Sequence, residues 1–157
     1  MKLAHRNGLA NIWVSNGYMS QQALNLILPY LDAINVDLKS FREKTYQKYC
    51  GAKLKPVLEN LKKICRSKVH MEITTLIIPG INDRKEELTQ IAQFIANKLS
   101  KNIPWHISRF IPAHKMMKLA PTSLQTLKMA AVIGKQSGLQ FVHLGNIPKK
   151  MLPEAPW

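Results

Sequence analysis

AINVDLK (33–39), the head of the stretch AINVDLKSFREKTYQKYCG (33–51), alternates apolar and polar residues with the two-residue period of an extended chain. Ile34, Val36 and Leu38 then point to one side, and Asn35, Asp37 and Lys39 to the other. The polar side ends in an acid and a base two positions apart. In α/β proteins the carboxyl ends of strands are where ligand sites are built, so the stretch predicts both a strand and a site at its end.

Four further segments have strand character: ANIWVSNG (10–17), VHMEITTLII (69–78), WHISRF (105–110) and LQFVHL (139–144). Helical periodicity fills the gaps. Apolar residues recur at Ala23, Leu24, Ile27, Leu28 and Leu31, at Leu88, Ile91, Ala92, Ile95 and Leu99, and at Leu124, Leu127, Ala131 and Gly134, with Gly138 as a helix-ending glycine. Ser40 with Glu43, Asp83 with Glu86 and Thr122 with Gln125 each have capping-box spacing, which predicts structural roles for them. On that reading PGIND (79–83) is a capped strand-to-helix turn, and its Asn82 and Asp83 are structural.

Strict strand–helix alternation requires parallel pairing through right-handed crossovers. Five strands cannot close an eight-stranded barrel. The expected architecture is therefore α/β: a partial TIM-like (β/α) barrel of about five parallel strands with outer helices. It occupies one domain, residues 1–148, followed by an irregular Pro- and Lys-containing tail, 149–157. MKLAHRNG (1–8) has the pattern of a helix tail with a terminal glycine, so the chain is expected to open midway through a βα unit. ANIWVSNG then becomes an edge strand, and the domain is expected to be an incomplete barrel.

Bulk properties narrow the function classes. The chain has 157 residues, 46% hydrophobic and 20% charged, which suits one ordinary domain with a real core. No apolar run approaches the roughly 20 residues of a membrane span, and the amino terminus has no export signal, so the cytoplasm is the expected location and no membrane partner is expected. Cys50 and Cys65, fifteen positions apart, match no metal-ligand spacing, and no metal site is expected in the chain itself. Cys65 falls on the apolar stripe of Val57, Leu58, Leu61 and Ile64, where a thiol packs as a small hydrophobe. The formal charge of +14 raises nucleic-acid binding. The lysines are scattered, however, and no recognition motif accompanies them, so a solvated lysine-rich surface is the better reading.

The other strands repeat the opening pattern. Asn11, Trp13 and Ser15 alternate in phase, as do His70, Glu72 and Thr74, and His106 and Ser108. Helices between parallel strands cover at least one face, so polar residues on the other predict a concave, partly wet interior. Ser15, Asp37, Lys39 and Glu72 are expected to converge there. Arg109 falls on the opposite phase from His106, and Gly145 with Asn146 suits a turn of positive φ.

The ordered motifs VSNGY (14–18), INVDLKSF (34–41), MEITTLIIPGINDRKEEL (71–88), PWHISRFIPAHKM (104–116) and HLGNIP (143–148) resemble the carboxyl-terminal part of the radical SAM enzyme of the AmmeMemoRadiSam system. More distantly they are similar to glycyl-radical activating enzymes such as pyruvate formate-lyase activase. The resemblance runs from about Leu9 to Pro148. It implies a (β/α) barrel that holds S-adenosylmethionine beside a [4Fe-4S] cluster and cleaves it to a 5′-deoxyadenosyl radical. Ser15, Asn16 and Gly17 match the family's TNG segment near the ligand. Asp37 and Lys39 match the activase DLK segment, with Asp37 accepting from ribose hydroxyls and Lys39 donating to an oxygen or carboxylate. Glu72, Thr74 and His106 would face the same cavity. The CxxxCxxC loop and the GGEP-like segment that complete the family's site are not in this sequence. No catalytic residue is therefore assigned, and the partner implied is the missing amino-terminal cluster-binding segment or a protein of the same system. Three functions follow from these readings: the carboxyl-terminal portion of a radical SAM enzyme, a half-barrel binding domain that has lost the cluster, and a basic RNA-associated module. The lysine distribution favours the last least.

Overall fold

The alternation resolves into a single open sheet of five parallel strands in sequence order, in the computed structural model, which describes residues 1–148. The strands are β1 (Ile12–Ser15), β2 (Ala33–Asp37), β3 (His70–Ile77), β4 (Trp105–Arg109) and β5 (Val142–Gly145). Helices separate them: α1 (Lys2–Arg6) before the sheet, α2 (Gln21–Ile27), a short α3 (Glu43–Thr45), α4 (Leu54–Cys65), α5 (Lys85–Phe94) and α6 (Leu124–Gln136). A parallel sheet wound in one direction through right-handed crossovers carries all its helices on one face. The fold is thus the expected partial (β/α) barrel, with β1 and β5 as its edges among the described residues. The tail proposed for 149–157 lies outside them.

One hydrophobic core forms between sheet and helices. Ile34, Val36, Met71, Ile73, Ile77, Trp105 and Ile107 meet helix residues such as Leu24, Val57, Leu61, Leu88, Ile91 and Leu127. Trp105 is fully buried, and its indole N–H is satisfied by Thr75 Oγ1 at 3.0 Å. Gly134 lets α6 come close to it, since a Cβ there would stand 3.0 Å from Trp105 Cε3 and from Val142 Cγ2. Val57, Leu61 and Ile64 line the buried stripe of α4, with Leu58 and Cys65 partly buried beside them.

The helix ends differ from the capping-box reading. Serines outside those boxes cap two helices: Ser20 accepts from Ala23 N–H and Ser123 from Thr126 N–H. Ser40 and Thr122 are buried, and Asp83 accepts from Gly80 N–H within its own turn. Glu43 instead accepts from Leu54 N–H, eleven residues on, at the start of α4. The helices begin later than the boxes imply, with Arg42, Arg84 and Ser123 at their N-cap positions, so Ser40, Asp83 and Thr122 precede the first turn and are claimed by tertiary burial or by their own turn. The expected left-handed glycines are present after α1 at Gly8 (φ 71°) and after α6 at Gly138 (φ 95°), and Asn146 turns the chain after β5 at φ 59°.

Candidate functional site

Strand register decides which side chains share a face. Asn35 pairs with Glu72 and Asp37 with Thr74, while Thr74 pairs with His106 and His106 with His143. In parallel strands such partners point the same way, so Asn35, Asp37, Glu72, Thr74, His106 and His143 lie on the face away from the helices. Ser15 does not join them. It is in register with Val36, and Trp13 with Ile34, both core residues, whereas Val14 stands beside Asn35. The expected convergence of Ser15 with Asp37, Lys39 and Glu72 is corrected on this point: Trp13 packs inward against the core, and the two-residue period carries Ser15 with it.

Asp37 and Lys39 meet at the end of β2, with Lys39 Nζ 2.8 Å from Asp37 Oδ2. Their side chains are 33% and 42% exposed. A pair this accessible is worth about 0–1 kcal/mol, so it can open to an incoming ligand at little cost. Next to it, Thr74 donates to Asn35 Oδ1 at 2.8 Å.

The backbone carrying Lys39 is fixed by side chains from neighbouring elements. Lys39 N–H donates to Tyr46 Oη at 3.1 Å, and its carbonyl accepts from Asn82 Nδ2 at 2.7 Å. Asn82, 1% exposed, also donates to Leu76 O and accepts from Ile78 N–H, joining the loops after β2 and β3. Thr75 donates to Leu38 O, and the fully buried Glu87 accepts from Ser40 Oγ and Phe41 N–H. Arg42 lies 3.0 Å from the other Glu87 oxygen as an ion pair. Burial pushes the Tyr46 phenol well above its ordinary value, against the opposing effect of the Lys39 amide, so it remains neutral.

The segment after β1 is held similarly. Ser15 Oγ accepts from Gly17 N–H, Asn16 Oδ1 accepts from Tyr18 N–H, and the fully buried Asn60 of α4 donates to the carbonyls of Gly17 and Met19. Asn16, Tyr18, Lys39, Tyr46 and Cys50 enclose a cavity of about 100 Å³. Gly17 has φ 69°, and a Cβ there would stand 2.8 Å from Val36 Cγ1, so core packing as well as the turn demands glycine.

Glu72 and His106 form a second cluster lower on the face. Glu72 Oε2 lies 2.8 Å from His106 Nε2 and Oε1 lies 3.2 Å from His70 Nε2, while the His106 ring stacks on His143 at 5.1 Å. Burial alone would raise the Glu72 carboxyl, but the hydrogen bonds from His70 and His106 and their charge hold it below its usual value. His143 could not be found from the sequence, because only the pairing of β5 with β4 brings it to His106. Arg109, on the helix side as its phase predicts, forms no ion pair among the described residues and donates to Thr122 O at 2.9 Å.

The donors fit part of the implied cofactor set. Asp37 offers an accessible carboxylate for hydroxyl groups, and Asn16, Lys39 and Thr74 offer further polar contacts around it. The cavity at Lys39 is smaller than the roughly 300 Å³ at which pockets enclose a ligand, so a cofactor-sized molecule would lie along the open face. The thiols do not fit a [4Fe-4S] cluster. Cys50 and Cys65 sit on different elements, and burial pushes both above the ordinary thiol value, away from the thiolate that iron ligation uses. Among the described residues no group of three or more His, Cys, Asp or Glu is arranged to hold a metal ion. None of their helices is long and apolar enough to cross a membrane.

Comparison with known proteins places this geometry in context. Residues 1–95 match the Radical SAM superfamily. An uncharacterized protein of Methanocaldococcus jannaschii is 38% identical over 93% of this chain and 43% of its own length. The (2S)-3-sulfopropanediol dehydratase activating enzyme of Klebsiella oxytoca is 28% identical over 61% of this chain and 30% of its own length. The chain thus spans less than half the length of these relatives. In fold it is similar to a crystallised domain of pyruvate-formate lyase-activating enzyme from Bacteroides vulgatus, with a TM-score of 0.77 at 19% identity, over 92% of this chain and 86% of that one.

Proposed function

The chain belongs to the Radical SAM superfamily, and from that premise we propose that the polar face of its sheet binds S-adenosylmethionine, as the carboxyl-terminal portion of an activase-like enzyme of the AmmeMemoRadiSam type working in the cytoplasm. The observation that carries this reading is the accessible Asp37–Lys39 pair at the carboxyl end of β2, on a backbone clamped by Tyr46, Thr75 and Asn82. Asp37 accepts from the ribose hydroxyls. Lys39 turns from Asp37 toward an oxygen or carboxylate of the ligand, while Asn16 and Thr74 border the same region. Glu72 and His106 hold each other lower on the face.

S-adenosylmethionine supplies a 5′-deoxyadenosyl radical when it is cleaved reductively. The thiols of this chain do not supply the cluster for that cleavage. The cluster ligands come from a segment carried elsewhere, on polypeptide beyond this sequence or on a partner of the same system.

The test is equilibrium binding followed by amide NMR shifts. S-adenosylmethionine should bind weakly and shift Asn16, Lys39 and Thr74, and D37N should weaken it about tenfold to a hundredfold, the value of a hydrogen bond to a charged group. Unchanged affinity in D37N, or shifts confined to other surfaces, would refute the site.

A further inference from the structure

A larger cavity shares the segment Tyr46–Cys50 with the cavity at Lys39, and its chemistry is different. The short π-helix Tyr46–Cys50 that follows α3 separates the two: Tyr46 and Cys50 face the cavity at Lys39, and Lys48 and Tyr49 face the larger one. The remaining wall comes from the β3–α5 turn, Pro79 to Ile81, and from residues 115–119 of the β4–α6 loop. Three successive strand-to-helix connections therefore converge on one space of about 680 Å³, within the range of pockets that enclose a single small molecule.

Its charged side chains are all cations. Lys48, Lys115 and Lys118 line it with no acid among the lining residues, and none of the three forms an ion pair among the described residues. Unopposed like charges around one cavity repel each other in the empty protein, and an anion relieves that repulsion. The floor is apolar, with Pro79, Ile81, Met116 and Leu119, and Tyr49 adds an aromatic ring over which Lys48 Nζ stands at 5.1 Å. The loop is shaped for this: His114 adopts φ 48°, a left-handed conformation uncommon outside glycine, and starts the turn that brings Lys115 and Met116 to the cavity.

We propose that this cavity is the substrate site and that it takes a small molecule bearing phosphate or several carboxylates on an apolar or aromatic body. The lysines meet the anionic groups, and the floor with Tyr49 takes the body. The designation as substrate rests on the S-adenosylmethionine reading, because the segment Tyr46–Cys50 contributes to both this cavity and the one at Lys39, and Asn82, at the end of the Pro79–Ile81 turn, holds the Lys39 carbonyl. The ligand class rests on the cavity itself.

Phenyl phosphate, inorganic phosphate and phenol serve as probes in separate NMR titrations of the labelled chain. Phenyl phosphate should bind saturably, shift Gly80, Ile81 and Lys118, and bind more tightly than either fragment, with affinity falling as salt rises. K115Q/K118Q should weaken it about tenfold or more, the loss of roughly one charged hydrogen bond. K62Q/K63Q, which removes two lysines from a separate cleft on α4 beside Glu59, should leave it unchanged. Equal weakening by both double variants would reduce the effect to overall charge and overturn the proposal, as would phenol binding as tightly as phenyl phosphate. Phenyl phosphate binding without S-adenosylmethionine binding would overturn the cofactor reading and leave the anion site standing. The reverse outcome would overturn the anion site alone.

Discussion

At the scale of single residues, Gly17 and Glu72 show how one side chain can answer to two demands. Gly17 combines φ 69° with a position whose Cβ would overlap Val36 Cγ1 and stand 3.3 Å from Val57 Cγ1. G17A should therefore destabilise the protein by about 1–3 kcal/mol in urea unfolding, the sum of left-handed strain and overpacking. The sequence had offered Gly17 as a turn beside a ligand, and the structure adds the core as a reason. Glu72 has its folded-state pKa below the unfolded value, so its stabilisation is fully present above about 4.5, its ordinary value, and is lost as the pH falls through the lower folded value. The wild type should lose more stability between about pH 6 and about pH 3.5 than E72Q, read as the shift in urea midpoint. Parallel slopes in the two proteins would remove Glu72 from the acid response. The residues on this face that could be read from the sequence are those of β2 and β3 and His106 of β4, where alternation is unbroken. The face of Ser15 is not legible in the same way, because β1 has mixed residues on both sides, leaving Ile12 and Val14 exposed at 69% and 81%.

At the scale of elements, the loops at the carboxyl end of the sheet are held by buried amides and carboxylates rather than by local caps. Asn60 braces the turn after β1, Glu87 and Tyr46 the segment after β2, and Asn82 ties that segment to the turn after β3. Capping-box spacing had marked Ser40, Asp83 and Thr122, since a local motif is all that spacing can register. Asn82 was recognised as structural, but its partners belong to two other elements. N82L keeps the branched side-chain skeleton at a larger volume while removing the acceptor of Ile78 N–H and the donor to two carbonyls, so lost hydrogen bonds and overpacking together should cost about 2–4 kcal/mol in chemical denaturation. It should also weaken S-adenosylmethionine binding beyond what that stability loss explains, because Lys39 loses a backbone anchor. A stability change with unaltered affinity would limit Asn82 to the fold.

For the molecule as a whole, the open sheet and the two mismatched cysteines lead to one expectation about assembly. Reconstituted anaerobically alone, the chain should acquire no stoichiometric [4Fe-4S] absorbance and release no 5′-deoxyadenosine. Co-expressed with a segment carrying a CxxxCxxC loop and two further strands, it should gain both, by pairing along β1. Cluster absorbance and cofactor cleavage by the isolated chain would contradict the proposal. The sequence by itself determined the five strands, the helices between them, their parallel order and the polar face of β2, β3 and β4, because periodicity and chain connectivity are local and leave few topologies. Tertiary structure alone decided the inward turn of Ser15, the stacking of His143 on His106, the bracing of Lys39 by Asn82 and the gathering of three lysines in one cavity. Each of these depends on strand register or on loops from different elements meeting in space, and neither is encoded in the spacing of neighbouring residues.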